Sequence, residues 1–373
     1  MATTMRTTGL LRFAATAAAI TAVPMLACAV LTGLARLGVT VPTFALTHAA
    51  SHGALMIPVF FGTVISLERA VAMQRQAPYL APTSTVIAGT ALLAGAPAPI
   101  VQALLVIAAG ILVAASIKLT WRQPTLFLVV LAGAAVCWVV GNGVWLIVGD
   151  TSVAVPWWLS FLILTIAGER LELTRLLPVS RWGTRQFVIV VVVILVSATG
   201  ALWWPDGSLR VFAGGLLALA AWLARHDIAR HTVRQKGLVR FIAVCLLSGY
   251  GWLAAGALLG LSGALLPGHA WRDAVLHAIT LGFVFSMLLG HAPLILPAVV
   301  RLRLAYHPSF YVPLVALHVA LVVRVAGGLN GAFWLRRAGG LASAAALMLF
   351  ALTLLSGAYR SWRRTAAGVI SSR

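Results

Sequence analysis

The 373 residues are 61% hydrophobic and only 9% charged, with a mean hydropathy of +1.02 and a formal net charge of +20. Such a balance excludes a soluble enzyme, a disordered chain and a secreted disulfide scaffold. The apolar runs are long and continuous, without the apolar–polar alternation of a barrel, so the fold class is all-α, a polytopic membrane protein.

In chain order, the roughly 20-residue length that a bilayer demands predicts helices at about 12–34, 45–67, 82–97, 100–117, 125–148, 153–172, 187–204, 210–224, 240–262, 273–298, 308–328 and 338–358. That is a single transmembrane domain over 1–373 with about 12 helices. The third and fourth are split only by Gly95-Ala96-Pro97-Ala98-Pro99, which reads as a turn or as the kink of a re-entrant pair. Arg6 and Arg12 precede the first apolar run in the manner of a signal peptide, but the run is read as the first helix.

The charge pattern orients the bundle. With both termini cytoplasmic, the outer side holds only Arg36, Arg210, Arg272, Arg324, Arg336 and Arg337, and most of the other Lys and Arg residues fall inside. The basic stretches at about 175–186 and 225–240 are the longest loops and are assigned to the cytoplasmic side. This asymmetry accounts for the net charge without a nucleic-acid partner. Trp157, Trp158, Trp203, Trp204, Trp271 and Trp334 are expected at the outer rim and Trp121, Trp182 and Trp362 at the inner one, as an aromatic belt.

Polar residues inside the spans are few. All seven acids fall at predicted span ends or in loops, so no midplane carboxylate is available for a proton-coupled transporter. Glu68-Arg69 and Glu169-Arg170 end the second and sixth helices and read as clasps between helices. Cys28, Cys137 and Cys245 have no metal spacing and read as packing residues, as do Gly256 and Gly260.

Five of the nine histidines, His48, His52, His277, His291 and His318, lie in predicted helices or at their ends. An imidazole at membrane depth needs a partner, and a metal is a common functional one. His48 and His52 are four residues apart, which predicts one shared helix face able to ligate an ion or a haem. His277 and His291 are fourteen apart on the tenth helix. Uniform helical winding puts them on nearly the same face, about 21 Å apart in depth. Two sites follow: an outer one from His277 with His52 or His48, and an inner one from His291 with His318. The alternative for the inner pair is a hydrogen bond to a carbonyl or to Ser286. Arg324, a charge near the outer end of the eleventh helix, reads either as the partner of a haem propionate or as a side chain snorkelling to the rim.

Leu276-His277-Ala278-Ile279-Thr280-Leu281-Gly282 with Met287, together with His48, His52, Gly53 and Met56, resembles the NnrS family of bacterial membrane proteins. The resemblance covers the histidine-bearing helices. It implies haem b, one or two per chain, with copper as a further metal at His48, His52 and His277, and a link to nitric oxide in the bacterial inner membrane. A more distant similarity is to subunit I of the haem-copper oxidases, in which helices two and ten hold a low-spin haem. Here helices six and seven carry no histidine, so the copper-binding trio required for oxygen reduction is missing and a terminal oxidase is excluded. The expected function is therefore haem-based nitric oxide binding, response or detoxification, or membrane electron transfer to a redox partner. Two other classes stay open: a transporter with a histidine-lined pathway, and an assembly factor whose histidines join helices.

Overall fold

The computed structural model describes residues 2–173, 180–300 and 304–371, with side chains described from 16 to 363 except at 298 and 300. The basic positions Arg175, Arg301, Arg303 and Arg373, and the start of the inner stretch 175–186, lie outside the described residues, and the side chains of Arg6 and Arg12 lie outside those described. Among the described residues there is no strand. The long helices are α1 (Ala2–Ala35), α2 (Ala49–Met73), α3 (Leu80–Leu93), α4 (Ala98–Arg122), α5 (Leu126–Val148), α6 (Thr151–Leu173), α7 (Arg181–Gly200), α8 (Pro205–His226), α9 (Gly237–Ala264), α10 (Arg272–Pro297), α11 (Pro308–Leu329) and α12 (Phe333–Ser371). All but α3 contain a stretch long and apolar enough to cross a membrane, which makes 11 candidate spans among the described residues. The chain is thus a multi-pass all-α membrane protein.

The exception has a local cause. The 14 residues of α3 reach about 21 Å at 1.5 Å per residue, short of a hydrocarbon core of about 30 Å. The Gly-Pro stretch after it is a true turn rather than a kink. Gly95 takes φ +77, and the Ala96 amide donates back to the Ala91 carbonyl over 2.9 Å, which closes α3 before Pro97 opens α4.

The contacts of the chain fall into two compact units, 1–172 with 198–204, and 173–197 with 205–373. In the first, buried polar side chains tie neighbouring helices. Asn142 on α5 donates to the Leu105 carbonyl of α4 over 3.0 Å and accepts the indole N–H of Trp158 on α6, also over 3.0 Å. Gln102 on α4 donates to the Trp145 carbonyl of α5. The clasp expected at the helix ends is present, with Arg69 of α2 3.2 Å from Glu169 of α6. Glycines set close approaches: a Cβ at Gly62 would lie 2.3 Å from the Trp138 ring, which itself stacks on Phe161.

These contacts correct part of the aromatic belt. Trp157 and Trp158 are buried, the latter completely, because the first turns of α6 are wrapped by other helices and the Trp158 N–H is consumed by Asn142. Trp203, Trp204, Trp334, Trp121, Trp182 and Trp362 are exposed, as a belt requires. Replacing Asn142 with Leu strips the buried Trp158 N–H of its acceptor. The expected loss is about 1–3 kcal/mol, read as a lower unfolding midpoint in detergent. A midpoint unchanged from the native protein would mean that the indole finds another acceptor.

In the second unit, α9 is the central element. Gly249 and Gly256 face α10, where an added Cβ would lie 2.6 Å from Met287 and 2.8 Å from Ile279 respectively, and Gly260 faces Ala213 of α8. The packing role expected for Gly256 and Gly260 is therefore divided between two neighbours. Tyr250 of α9 donates to the buried Asp227 carboxylate over 2.6 Å, and Asp227 also accepts the Ala229 amide. On the other side of the unit α11 and α12 cross with glycine against backbone, at Gly327 and Gly339.

Candidate functional site

The helix periods that carried the histidine spacings are interrupted at both places that matter. Residues 43–51 are not one continuous helix. Thr43–Thr47 ends at His48, whose φ/ψ of −101/16 is non-helical, and Ala49–Ser51 is a 3₁₀ turn before His52. The shared face expected for His48 and His52 is lost, because a break and a tighter turn replace the 3.6-residue winding it assumed. In α10 the residues immediately after His277, Ala278–Val284, form a π segment. Its wider winding rotates the chain less per residue, so the same-face relation of His277 and His291 does not hold either. A second π segment, Leu55–Phe61, follows His52 closely and contains Pro58, which lacks the N–H that a regular ladder needs. In α10, Gly282 within the π segment lies under Trp252 of α9, where a Cβ would meet the ring at 2.5 Å.

The ring hydrogen bonds separate the histidines into two kinds. His52 donates from Nδ1 to the Ala29 carbonyl of α1 over 2.7 Å, and its ring rests against Gly33, where a Cβ would come within 2.7 Å. His277 donates from Nδ1 to the Asp273 carbonyl over 2.8 Å, and His291 donates likewise to the Met287 carbonyl over 2.7 Å. A carbonyl can only accept, so in these three rings Nδ1 carries a proton. His318 is different. Its Nδ1 accepts the Trp252 indole N–H over 3.0 Å, leaving Nε2 to donate to Ser248 over 3.0 Å. A ring held in this way has no lone pair to offer a metal. His48 is half-buried.

Around His277 the surroundings are charged. Asp273, one turn earlier on α10, places Oδ1 3.3 Å from the His277 Nδ1. Arg324 of α11 grips both oxygens of that carboxylate, Nη2 to Oδ1 at 2.8 Å and Nε to Oδ2 at 3.0 Å. Arg324 is buried at 8% exposure, so its partner is the acid rather than the rim. The sequence carried a signal for this arrangement in the Asp273-x-x-x-His277 spacing, which stacks acid and imidazole on one turn of helix. Nothing in the linear pattern connected Arg324 to it. The remaining loop-side histidines have local partners: His226 donates to the Trp222 carbonyl, and His269 and His307 accept nearby backbone amides.

Among the described residues, no three His, Cys, Asp or Glu side chains come together to cage a metal ion. The three cysteines are free thiols, Cys137 and Cys245 buried and Cys28 partly so. The fold and the site together define a polytopic helical membrane protein with oriented histidines on two of its helices. The chain belongs to the family described as Domain of unknown function (DUF8744), whose model matches residues 12–359. No curated protein matches it.

Proposed function

We propose that this is a multi-pass haem protein of the bacterial inner membrane that binds nitric oxide or passes electrons to or from it, with His277 in the second unit and His52 in the first as the residues that would hold the haem. The observation that carries this reading is the protonation pattern of these rings. Metal-binding histidines characteristically donate their other ring N–H to a carbonyl or carboxylate, which fixes the tautomer and aims the ligating nitrogen. His277 has both kinds of acceptor beside Nδ1, and His52 has a carbonyl from a neighbouring helix.

Haem fits this donor set better than a caged ion, since the macrocycle supplies most of the coordination and the chain needs to add only one or two side chains. Copper, the other metal implied by the resemblance, would find fewer than three such ligands among the described residues. The π segments beside His52 and His277 add support, because such bulges recur at functional sites. Bound haem would supply a reversible one-electron change and a position for a diatomic ligand. The chain's part would be to orient the His277 ring through the Asp273 carbonyl and carboxylate beside its Nδ1.

Oxidised and reduced optical spectra of protein purified in mild detergent, with haem and copper quantified on the same sample, test the reading. A Soret band at one or two haems per chain is expected in the native protein. His277→Ala should lose the haem it anchors, whereas His318→Phe should retain the native haem content. Native protein that is colourless when isolated from haem-replete cells would sink the proposal and favour a transport role.

A further inference from the structure

We infer that the cationic end of the second unit, where α9 starts and α12 nears its last turns, binds the phosphate headgroup of an anionic membrane phospholipid, with Arg240, Arg360 and Arg363 as its contacts. The inference does not rest on the haem reading.

Three segments meet there. The Phe241 ring, next in the chain after Arg240 near the start of α9, packs edge-on against Phe310 at the start of α11, with centroids 5.7 Å apart. Phe310 in turn stands over Gly357 of α12, where a Cβ would lie 3.5 Å from its ring, and the Ala305 amide donates to the Gly357 carbonyl over 3.2 Å. Arg360 follows Gly357 by about one turn of α12, and Arg363 follows by one more. The charge of Arg240 is felt at the Tyr306 phenol, in the same link between α10 and α11. Arg240 and Arg363 are exposed, and Arg363 lies over the Tyr359 ring at 5.9 Å. Arg360 is half-buried: its Nε and Nη2 are covered and have no hydrogen-bond partner among the described residues.

Acids are scarce at this end. Of the three in the unit, Asp206 and Asp273 open α8 and α10 at the opposite end, where they pair with Arg210 and Arg324. The third, Asp227, is buried and receives the Tyr250 hydroxyl and the Ala229 amide. The exposed Arg234 and Lys236 between α8 and α9 add further positive charge. The positive-inside rule accounts for cations collecting on one side, and makes this the cytoplasmic leaflet, but not for the form of the cluster. An arginine that only orients the chain needs to stay in water, yet Arg360 keeps two nitrogens out of water without an acceptor, which is costly for a guanidinium unless an anion compensates it. Lys236 and Arg240 stand at the start of α9, where the helix dipole disfavours a cation and favours an anion. A lipid phosphate answers both, and the exposed Tyr359 and Trp362 suit the interface just above its acyl chains.

The test is native mass spectrometry of the intact protein in mild detergent, titrated with phosphatidylglycerol or with phosphatidylcholine of the same acyl chains. The native protein should bind phosphatidylglycerol the more tightly. Arg363→Gln, an exposed position that should fold normally, should weaken that binding about fivefold, the effect of one cation beside an anionic headgroup, and Arg360→Gln with Arg363→Gln about 25-fold. Phosphatidylcholine binding should be the same in all three proteins, and Arg337→Gln, an exposed cation at the opposite end, should bind phosphatidylglycerol as the native chain does. Excess inorganic phosphate should leave the lipid in place; its displacement would mean that the site takes free phosphate and would overturn the lipid assignment. Equal binding of the two lipids by the native protein, or native affinity for phosphatidylglycerol in Arg363→Gln and in the double variant, would overturn the inference and leave these arginines with an orienting role alone.

Discussion

Arg324→Ala is expected to cost about 3–5 kcal/mol of stability, the range for breaking a buried ion pair from one side. The magnitude follows from exposure. An exposed pair is worth about 0–1 kcal/mol, because water screens both charges and the side chains must be ordered to meet. Here the side chains retain only 10% and 25% of their accessible surface, and two hydrogen bonds join them. Removing the guanidinium leaves the Asp273 carboxylate within the helix packing, with His277 and the more distant Arg336 as its remaining charged neighbours. Replacing both partners by neutral side chains, Asp273→Asn with Arg324→Leu, should recover most of the loss, since no lone charge is left behind. Reversible unfolding in mixed micelles measures both. A single-variant cost below about 1 kcal/mol would show that water reaches the pair and that it behaves as a surface bridge.

Gly339→Ala should destabilise by about 1–3 kcal/mol, toward the upper end, whereas the same change at Gly110 should be nearly neutral. Both glycines lie within helices, so propensity alone would favour alanine at each by up to about 1 kcal/mol. The difference is in what the methyl group meets. At Gly110 nothing stands within 4 Å. At Gly339 the new carbon would lie 2.5 Å from the amide nitrogen, 2.7 Å from Cα and 2.7 Å from Cβ of Arg324. Backbone cannot rotate away, so α11 and α12 must separate along their length. Gly327 makes the reciprocal contact, with the Arg336 amide nitrogen 2.4 Å from its notional Cβ, so the crossing is held by small residues from both sides, as helix pairs in lipid commonly are. A secondary effect follows: displacing the Arg324 backbone loosens its grip on Asp273, so Gly339→Ala should also broaden the Soret band if haem is present. Equal unfolding midpoints for the two alanine variants would mean that the crossing is looser than these distances require.

Much of the bundle was legible in the sequence. Long apolar runs can satisfy their backbone in lipid only as helices, so the helix positions followed from length and composition, and Gly95 with Pro97 located the turn that makes α3 short. The Glu-Arg endings of the second and sixth helices announced a clasp that the Arg69–Glu169 pair makes. Spacing arguments failed where winding was not uniform. The relation of His48 to His52 assumed a helix that the 3₁₀ turn breaks, and the relation of His277 to His291 assumed a period that the π segment changes. Trp157 and Trp158 were placed at the rim because they lie near a span end, and the sequence has no means of showing that neighbouring helices cover them there.

What the sequence by itself determined was the class of molecule: an all-α chain that crosses a membrane many times, with its histidines concentrated in the helices. Composition decides this because lipid leaves the backbone no other way to pair its polar groups. The tertiary structure alone decided which ring nitrogens are committed. His318 gives both to Trp252 and Ser248, and His277 has its Nδ1 beside Asp273, whose carboxylate Arg324 grips, because hydrogen-bond partners from α9 and α11 reach these groups only when the helices are packed. A linear pattern records which side chains can bond, whereas the crossing of helices settles which of them meet.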